Sequence, residues 1–262
     1  MGDLRMTIDL DAVLKCAGDA ARAAGDILKP QLGRVGGLRM KPTGPVTDAD
    51  LQAEREIVAT IRDAFPDHAI LSEEMGSSGA GSARWVIDPL DGTANFIHCI
   101  PWYDVSVAFE IDGRIDAGVV FAPSLDLLFT AARGRGASLN GIPLQTSDKR
   151  SLSGGLIDFG FALVDWKDPA VLGHVTRLAQ MGTEIRSLNA CGLDLAFIAA
   201  GWLEGYWDLH VSLWDMAAGG LLVTEAGGRV LSRQTAGHEQ NLTILASNAH
   251  LFDILCELLG LT

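Results

Sequence analysis

The chain has little positive charge and no long hydrophobic run, and both shortages limit its possible functions. Its 20 lysines and arginines are outnumbered by 33 aspartates and glutamates, which gives a formal net charge of −13 at pH 7. Such a chain offers no broad basic face to a nucleic-acid backbone. The longest apolar stretch, "LDLAFIAAGWL", contains a charge and is far shorter than the ~20 residues that a membrane span requires. We therefore expect no nucleic-acid partner and no membrane span.

Cysteine is also scarce, and its spacing shows no pairing. Cys16, Cys99, Cys191 and Cys256 lie far apart in the sequence. Reduced, mostly buried thiols in a cytoplasmic protein explain this distribution better than disulfides do. The first twenty residues contain acids and lack an apolar core flanked by basic residues. We expect them to belong to the mature protein rather than to a signal peptide.

The first half of the chain combines two helical patterns with a set of β-rich segments. Hydrophobic residues make up 48% of the 262 residues, which is enough for one large domain or two smaller ones with a shared interface. Apolar residues recur at helical spacing over residues 8–29 and 48–65. Short β-rich segments then follow over residues 69–133, separated by Gly, Pro and Asp, which favours an antiparallel sheet. The Asp-Gly pair in "IDGRI" predicts a tight hairpin.

The second half alternates strand-like and helical segments. This alternation begins after Asn140-Gly141 and is typical of a layered α/β arrangement. We expect an N-terminal α+β subdomain over residues 1–145 and a C-terminal α/β subdomain over residues 146–262. With no long linker between them, the two should pack tightly, and a cleft at their junction would suit a ligand.

Acidic residues stand at the ends of strand-like segments. "LSEE" ends in Glu73 and Glu74, "WVID" ends in Asp88, and Asp91 follows three residues later. Far downstream, Asp215 stands where a helix should begin. Mg²⁺ prefers oxygen ligands, usually one or two carboxylates together with waters and substrate phosphate oxygens. Carboxylates that bridge two ions are typical of two-metal sites.

Each acid also has a plainer explanation when it is taken alone. Asp88 and Asp91 border a proline and a glycine, so they fit a turn. The Glu73-Glu74 pair fits a solvated strand end, and Asp215 fits a helix N-cap. Only the motifs as a whole favour the functional interpretation.

Several separated motifs resemble one family. "WVIDPLDGTANFIHCIP" (residues 85–101) resembles the inositol monophosphatase signature Asp-Pro-(Ile/Leu)-Asp-Gly-Thr-x-Asn-Phe. "WDMAAGGLLVTEAGG" (residues 214–228) is similar to the second family signature. "PVTDADLQAE", "SEE" and "FTAARGRGASLNG" are similar to further family segments, in the family's order. The resemblance covers essentially the whole chain, which is identified as a member of this family of Mg²⁺-dependent, lithium-sensitive phosphatases.

The resemblance implies a fold and an activity. The fold is a layered α-β-α-β-α sandwich, with an antiparallel sheet in the N-terminal half and a mixed sheet in the C-terminal half. The activity is hydrolysis of a small phosphomonoester, myo-inositol 1-phosphate or a similar polyol or sugar phosphate. Water activated by the metal would attack in line, with no phosphoenzyme. Two or three Mg²⁺ ions per site and a homodimer are also implied.

The resemblance further implies a metal-binding set. Glu73, Asp88 and the backbone carbonyl of Leu90 would hold the first ion. Asp88, Asp91 and Asp215 would hold the second, and Glu73 would also face a third, weaker site. Crowded carboxylates repel one another without cations, and with cations they form a positive socket for phosphate. Such a socket resolves the conflict between an acidic protein and an anionic substrate.

Catalytic roles follow from the same motifs. Thr93 and Asp50 match the pair that orients and deprotonates the attacking water, and Glu73 is counted with them as catalytic. The motif spacing favours Asp50 over Asp48. The backbone amides of Gly92 and Thr93 would bind phosphate oxygens at a turn or helix start.

The match weakens where substrate specificity is expected. In "RSLNACGLDLAF", Asn189, Ala190 and Cys191 replace the family's Gly-(Ser/Thr)-Ala. Asp208 matches the inositol-contacting glutamate but is one methylene shorter. The candidate substrate-binding residues are therefore Asp91, Gly92, Thr93, Asn189, Asp208 and Asp215. Lys41 could contact phosphate or a metal-bound water, or simply be solvated, and His98 has no evident role.

Other activities of the same superfamily stay open. They are a 3′(2′),5′-bisphosphate nucleotidase, a fructose-1,6-bisphosphatase and a histidinol-phosphate phosphatase. A different class is a non-catalytic regulator that uses the scaffold for protein or RNA contacts. The complete set of Asp50, Glu73, Thr93 and Asp215 argues against that class.

Overall fold

The structure is a computed structural model that describes residues 8–34, 36–41, 44–161, 167–234 and 242–261. The expectation of a mature N-terminus concerns in part residues 1–7, which lie outside the described residues. Within the described ranges, no helix is both long enough and apolar enough to cross a membrane. All four cysteines are unpaired, and only Cys99 is exposed, in line with the expected reduced thiols.

The described residues form helices and strands along the whole chain. The helices are α1 (Leu10–Leu28), α2 (Asp48–Ala64), α3 (Thr93–Ile97), α4 (Pro169–Gln180), α5 (Cys191–Ala199), α6 (Leu213–Glu225) and α7 (Phe252–Leu258). The strands are β1 (Arg39–Lys41), β2 (Gly44–Val46), β3 (Ala69–Ser72), β4 (Gly76–Ser78), β5 (Ala83–Asp91), β6 (Asp104–Ile111), β7 (Arg114–Ala122), β8 (Leu127–Ala132), β9 (Ala137–Leu139), β10 (Ile142–Pro143), β11 (Leu156–Phe159), β12 (Glu184–Arg186), β13 (Gly205–Val211), β14 (Arg229–Gln234) and β15 (Leu242–Ser247).

The first two helices begin at side-chain caps. The Asp9 carboxylate accepts the N–H groups of Asp11 and Ala12 at the start of α1. Thr47 and Asp50 form a capping box at the start of α2. Because such caps satisfy N–H groups that have no partner inside the helix, they fix where each helix starts. The helices predicted over residues 8–29 and 48–65 agree with α1 and α2 to within two residues.

The N-terminal half contains an eight-stranded sheet in the order β10-β9-β8-β7-β6-β5-β3-β4. Its neighbouring strands are antiparallel except for β3 and β5, which are parallel. The Asp-Gly hairpin joins β6 to β7, and Ile111 pairs with Arg114 across it. Asp112 and Gly113 have φ of 50° and 77°, as a two-residue type I′ turn requires. The predicted antiparallel sheet is confirmed, with one parallel pair added.

The C-terminal half contains a five-stranded sheet in the order β12-β11-β13-β15-β14. Strand β11 is parallel to both β12 and β13. Strand β15 is antiparallel to both β13 and β14. The predicted mixed sheet is therefore confirmed.

Helices and sheets stack as alternating layers. Helices α1 and α2 cover one face of the eight-stranded sheet, and α5 and α6 cover the other face. Helices α5 and α6 also contact the five-stranded sheet, whose other side packs against α4 and α7. Three buried apolar clusters fill the spaces between these layers. The α-β-α-β-α sandwich implied by the motifs is confirmed.

The division into two subdomains remains our proposal. Strand β10 ends at Pro143 and β11 begins at Leu156, so a boundary near residue 145 falls between the two sheets. Because α5 and α6 contact both sheets, the two halves share a core and should behave as one folded body.

Candidate active site

The segment from Asp88 to Asp91 is a bulge within strand β5 rather than the expected turn. Asp88 pairs with Ser106 and Asp91 pairs with Asp104, so two residues of β5 lie opposite one residue of β6. Pro89 cannot donate a backbone hydrogen bond, which suits the unpaired part of a bulge. Bulges change the direction in which side chains point and are common beside active sites. Here the bulge keeps both carboxylates on one rigid strand.

The four predicted metal-binding carboxylates come from three separate parts of the fold. Asp88 and Asp91 lie on β5, Glu73 directly follows β3, and Asp215 lies in the first turn of α6. Burial raises the pKa of Asp88 well above its ordinary value, and the nearby charges of Glu73, Asp91 and Asp215 raise it further. The four side chains therefore lie close enough for their charges to interact.

Electrostatics in this group favour bound cations. Burial raises the pKa of Glu73 to about 7 and that of Asp91 to about 6. Burial and the charge of Asp91 raise the pKa of Asp215 well above its ordinary value. Desolvated carboxylates of like charge hold protons unless a positive charge compensates them. A divalent cation would supply that charge.

Backbone N–H groups hold one oxygen of each aspartate. Asp88 Oδ1 accepts the N–H of Leu90 at 3.0 Å, and Asp91 Oδ2 accepts the N–H of Gly192 at 2.6 Å. Asp215 Oδ2 accepts the N–H of Ser212 at 2.6 Å. Asp215 is thus the third helical residue of a capping box, not the N-cap itself.

The donor set fits Mg²⁺ in chemistry, although it is not a finished cage. In the described part of the chain, no three His, Cys, Asp or Glu side chains are already arranged to hold a metal ion. One oxygen each of Asp88, Asp91 and Asp215 accepts a backbone N–H, and Glu73 lies against Lys41. Buried carboxylate oxygens are nevertheless the hard ligands that Mg²⁺ prefers. We conclude that the residues fit the ion.

Lys41 already lies against this group. It ends strand β1, and its Nζ lies 2.5 Å from Glu74 Oε1 and 3.4 Å from Glu73 Oε1. Burial lowers the pKa of Lys41, but the two glutamates outweigh that effect and the net shift is upward. Lys41 is therefore a counter-ion for the Glu73-Glu74 segment. The sequence analysis did not predict this role for Lys41.

Asp50 and Thr93 meet beside the bulge. Thr93 Oγ1 lies 3.2 Å from Asp50 Oδ1 and 3.0 Å from the Leu90 carbonyl oxygen. Asp50 Oδ2 accepts the N–H and the hydroxyl of Thr47, at 2.9 Å and 2.6 Å. Burial raises the pKa of Asp50. Asp48, by contrast, is half exposed beside Arg39, so the geometry favours Asp50, as the spacing did.

The predicted substrate-binding residues lie on several elements of the fold. Gly92 caps α3 with φ of 84°, which glycine adopts without strain, and Thr93 begins that helix. Asp208 lies close enough to Asp91 for its charge to raise the pKa of Asp91. Asp208 also accepts the Tyr206 hydroxyl at 2.9 Å. Asn189 is exposed and accepts the N–H of Phe161, so its side chain is directed to that loop. His98 is exposed at the end of α3.

Sequence analysis missed four buried acids around the site. Glu54 accepts the N–H groups of Glu74 and Met75 at 3.0 Å each, and so holds the segment that carries Glu73. The other three, Asp104, Asp158 and Asp194, are fully buried. Asp158 and Asp194 each interrupt an apolar run, and a charge in such a run is a usable signal, because unpaired charges are rarely buried.

Comparisons with known proteins agree with the motifs. The model of the inositol monophosphatase family matches residues 9–258. Nus factor SuhB of Pseudomonas aeruginosa is 42% identical over 258 residues, which cover 94% of this chain and 95% of that protein. Nus factor SuhB of Escherichia coli K12 is 39% identical over 244 residues, 90% of this chain and 91% of that protein.

Solved structures share the fold over nearly the full length. Extragenic suppressor protein suhB from Bartonella henselae matches with a TM-score of 0.88 and 36% identity, covering 95% of this chain and 98% of that one. Inositol monophosphatase from Anabaena matches with a TM-score of 0.83 and 36% identity, covering 97% and 98%. Motifs, fold and relatives agree, and this chain belongs to the inositol monophosphatase family.

Proposed function

We propose that the protein is a Mg²⁺-dependent phosphomonoesterase that acts on myo-inositol 1-phosphate or a similar polyol phosphate. One observation carries this proposal: four buried or half-buried carboxylates from three parts of the fold lie close enough for their charges to interact, beside the bonded pair of Thr93 and Asp50. Membership of the inositol monophosphatase family supports the same chemistry.

The metal-binding residues in this proposal are Glu73, Asp88, Asp91, Asp215 and the carbonyl of Leu90. When bound, Mg²⁺ would lower the pKa of a coordinated water and neutralise charge on the phosphate. The protein holds the carboxylates in place through the Leu90, Gly192 and Ser212 N–H groups. The number of ions, two or three, stays a prediction.

Thr93 and Asp50 are proposed to move the proton of the attacking water. Asp50 is held by two bonds from Thr47 to one oxygen, which leaves the other oxygen to accept the Thr93 hydroxyl. The Thr93 hydroxyl can accept a proton from water and pass its own proton to Asp50. The Gly92 and Thr93 amides stay our candidates for the phosphate oxygens.

Asp208 is proposed to accept hydroxyl groups of the leaving alcohol. Its carboxylate is oriented by the Tyr206 hydroxyl at 2.9 Å and the His210 N–H at 2.8 Å. An oriented carboxylate suits a polyol, because each hydroxyl of the polyol can donate one hydrogen bond. Asp215 and Asn189 stay substrate candidates, and Asn189 has the weaker support because its side chain bonds to the Phe161 backbone.

A second candidate function is a non-catalytic binding role. Its support is the name Nus factor, which relatives 39% and 42% identical to this chain carry. The retained acids make catalysis the stronger proposal. A cytoplasmic homodimer that lithium inhibits also stays a prediction.

The proposal is tested by phosphate release from four substrates, with Mg²⁺ and with chelator. The panel is inositol 1-phosphate, adenosine 3′,5′-bisphosphate, fructose 1,6-bisphosphate and histidinol phosphate. We expect the highest kcat/KM with inositol 1-phosphate, complete loss with chelator, and recovery when Mg²⁺ is restored. A higher kcat/KM with another member would reassign the substrate. Release from none of them, with Mg²⁺ present, would contradict the enzymatic proposal and favour the binding role.

A further inference from the structure

A half-buried aspartate and a fully buried one lie directly opposite each other on neighbouring strands. Asp91 on β5 and Asp104 on β6 are cross-strand partners. Asp104 is fully buried. Like charges placed opposite each other in a sheet are destabilising, so this arrangement requires compensation. Only Asp91 has a role in the proposed reaction, and the presence of Asp104 needs a separate explanation.

The compensation comes from the first turn of α5. Ala190 precedes this helix and offers no side-chain cap. Instead, the N–H of Gly192 donates to Asp91 Oδ2 at 2.6 Å, and the N–H of Leu193 donates to Asp104 Oδ2 at 2.9 Å. The first N–H groups of a helix have no partner inside it, so the two aspartates cap α5 from the other half of the chain.

The fit between Asp104 and α5 is close. A Cβ atom at Gly192 would lie 2.6 Å from Asp104 Oδ1, so any side chain there would displace the carboxylate or the helix. Asp104 Oδ1 is itself buried and accepts no N–H group of the described residues. The Asp104 and Asp91 carboxyl groups are also within hydrogen-bond reach of each other, a contact that requires a proton on one of them. The carboxylate therefore faces the helix backbone at a distance that only glycine allows.

We propose that Asp104 is a positioning residue for Asp91, which it controls through the first turn of α5. Asp104 holds Leu193, and the adjacent N–H of Gly192 holds the Asp91 carboxylate. Without Asp104, the helix start can shift and the Asp91 oxygen loses its fixed donor. This role rests on the proposed function, in which Asp91 binds Mg²⁺. Groups that orient a metal ligand commonly change metal affinity by about 10- to 100-fold when they are removed.

The first test measures Mg²⁺ affinity by calorimetry on metal-stripped, folded protein. Asp104→Ala removes the acceptor for Leu193, and we expect Mg²⁺ to bind about tenfold or more weakly. Asp104→Asn keeps an amide oxygen that can accept the same N–H, and we expect affinity close to that of the wild type. Asp116→Ala is the matched control, because Asp116 is a buried acid of the same sheet that pairs with Arg114 and Arg133. It should lower the Tm and leave Mg²⁺ affinity unchanged.

A second test uses Gly192→Ala, which removes no carboxylate. The new methyl group should push against Asp104 and weaken Mg²⁺ binding in the wild-type background. In the Asp104→Ala background the methyl group has room, and the same change should cost no further affinity. Such a double-mutant cycle isolates the coupling between the two positions. Should Asp104→Ala fail to fold, Gly192→Ala alone must still weaken Mg²⁺ binding.

Three results would overturn the inference. They are wild-type Mg²⁺ affinity in Asp104→Ala, equal losses in Asp104→Ala and Asp104→Asn, and equal effects of Gly192→Ala in both backgrounds. Equal losses in the two Asp104 variants would mean that its negative charge acts directly. Failure of the wild-type protein to bind Mg²⁺ would instead contradict the proposed function, so the two failures are distinguishable.

Discussion

Asp88 is the most deeply buried of the four carboxylates that we propose as metal ligands, at 2% exposure. Its charge interacts with Glu73, Asp91 and Asp215 at once. In our proposal Asp88 binds both of the main metal ions, so its loss should affect the whole metal site. The bulge that carries it also positions the Leu90 carbonyl and Thr93.

Asp88→Asn should abolish phosphate release while leaving the fold intact. The amide is nearly isosteric but cannot supply the negative charge that the cations need. Bound metals contribute several kcal/mol of transition-state stabilisation, so we expect kcat to fall at least about a thousandfold. Glu110→Gln is the control, because Glu110 lies on the paired strand β6 and bonds to Arg84 away from the site. Near-normal turnover in Asp88→Asn would remove Asp88 from its role.

Thr93→Val removes the hydroxyl group of Thr93 and keeps the shape of its side chain. Valine fills the same space but cannot bond to Asp50 or pass on a proton. General base catalysis commonly contributes about 10²- to 10⁴-fold, and we expect a loss of kcat in that range with little change in KM. Thr93→Ser keeps the hydroxyl and should retain most of the activity. If valine and serine variants turn over equally fast, proton transfer through Thr93 is wrong.

Single residues were predictable only where a motif carried them. Glu73, Asp88, Asp91 and Asp215 stand in recognisable strings, and the structure brings them together. Asp104 stands in a strand-like segment, and its partner Asp91 is set by the register between β5 and β6. Cross-strand register shifted by a bulge cannot be read from one strand alone, which is why Asp104 was missed.

At the scale of elements, α6 packs against β7 with almost no space between their backbones. A Cβ at Gly118 on β7 would lie 2.9 Å from the Ala218 Cα on α6. This close approach lets α6 lie flat on the sheet while its first turn carries Asp215 into the site. Glycine at position 118 is thus needed for packing, not for an unusual backbone angle.

Gly118→Ala and Gly173→Ala should shift the free energy of unfolding in opposite directions. Overpacking at Gly118 should destabilise the protein by about 1–3 kcal/mol. Gly173 lies exposed within α4 with nothing near its Cβ position, and alanine there should stabilise by about 0.4–1 kcal/mol. Urea unfolding of both variants measures the difference. Destabilisation by both, or by neither, would contradict this account of the β7–α6 contact.

Element boundaries were predictable where periodicity and caps agreed. Helix α2 lies within one residue of its predicted limits, because a capping box marks its start. The hairpin of β1 and β2, which brings Lys41 to the glutamates, was not predicted. Its strands have three residues each, too few for a periodic pattern.

At the scale of the whole molecule, the buried acids make stability depend on pH and on metal. The pKa of Glu73 is raised from 4.5 to about 7, and that of Asp91 from 3.8 to about 6. The folded protein therefore holds protons that the unfolded chain has released. The stabilising contribution is complete below the unfolded-state values and is lost as pH rises through about 6 to 7. Asp88 and Asp215 shift in the same direction.

Metal-stripped protein should therefore have a lower Tm at about pH 8 than at about pH 5. Mg²⁺ added at the higher pH should raise the Tm again, because it binds the folded state and neutralises the repulsion. Scanning calorimetry with chelator and with Mg²⁺ measures both effects. A Tm that rises between these two pH values in chelator would show that the site carboxylates do not control stability.

The layered arrangement also has a consequence during protein synthesis. The second face of the eight-stranded sheet, including Val86, Val120 and Phe129, is covered by α5 and α6, which are translated later. At elongation rates of about 5–20 residues per second, this apolar face would stay uncovered on the ribosome for several seconds. The nascent N-terminal half should accordingly need chaperone protection until α5 and α6 have been synthesised.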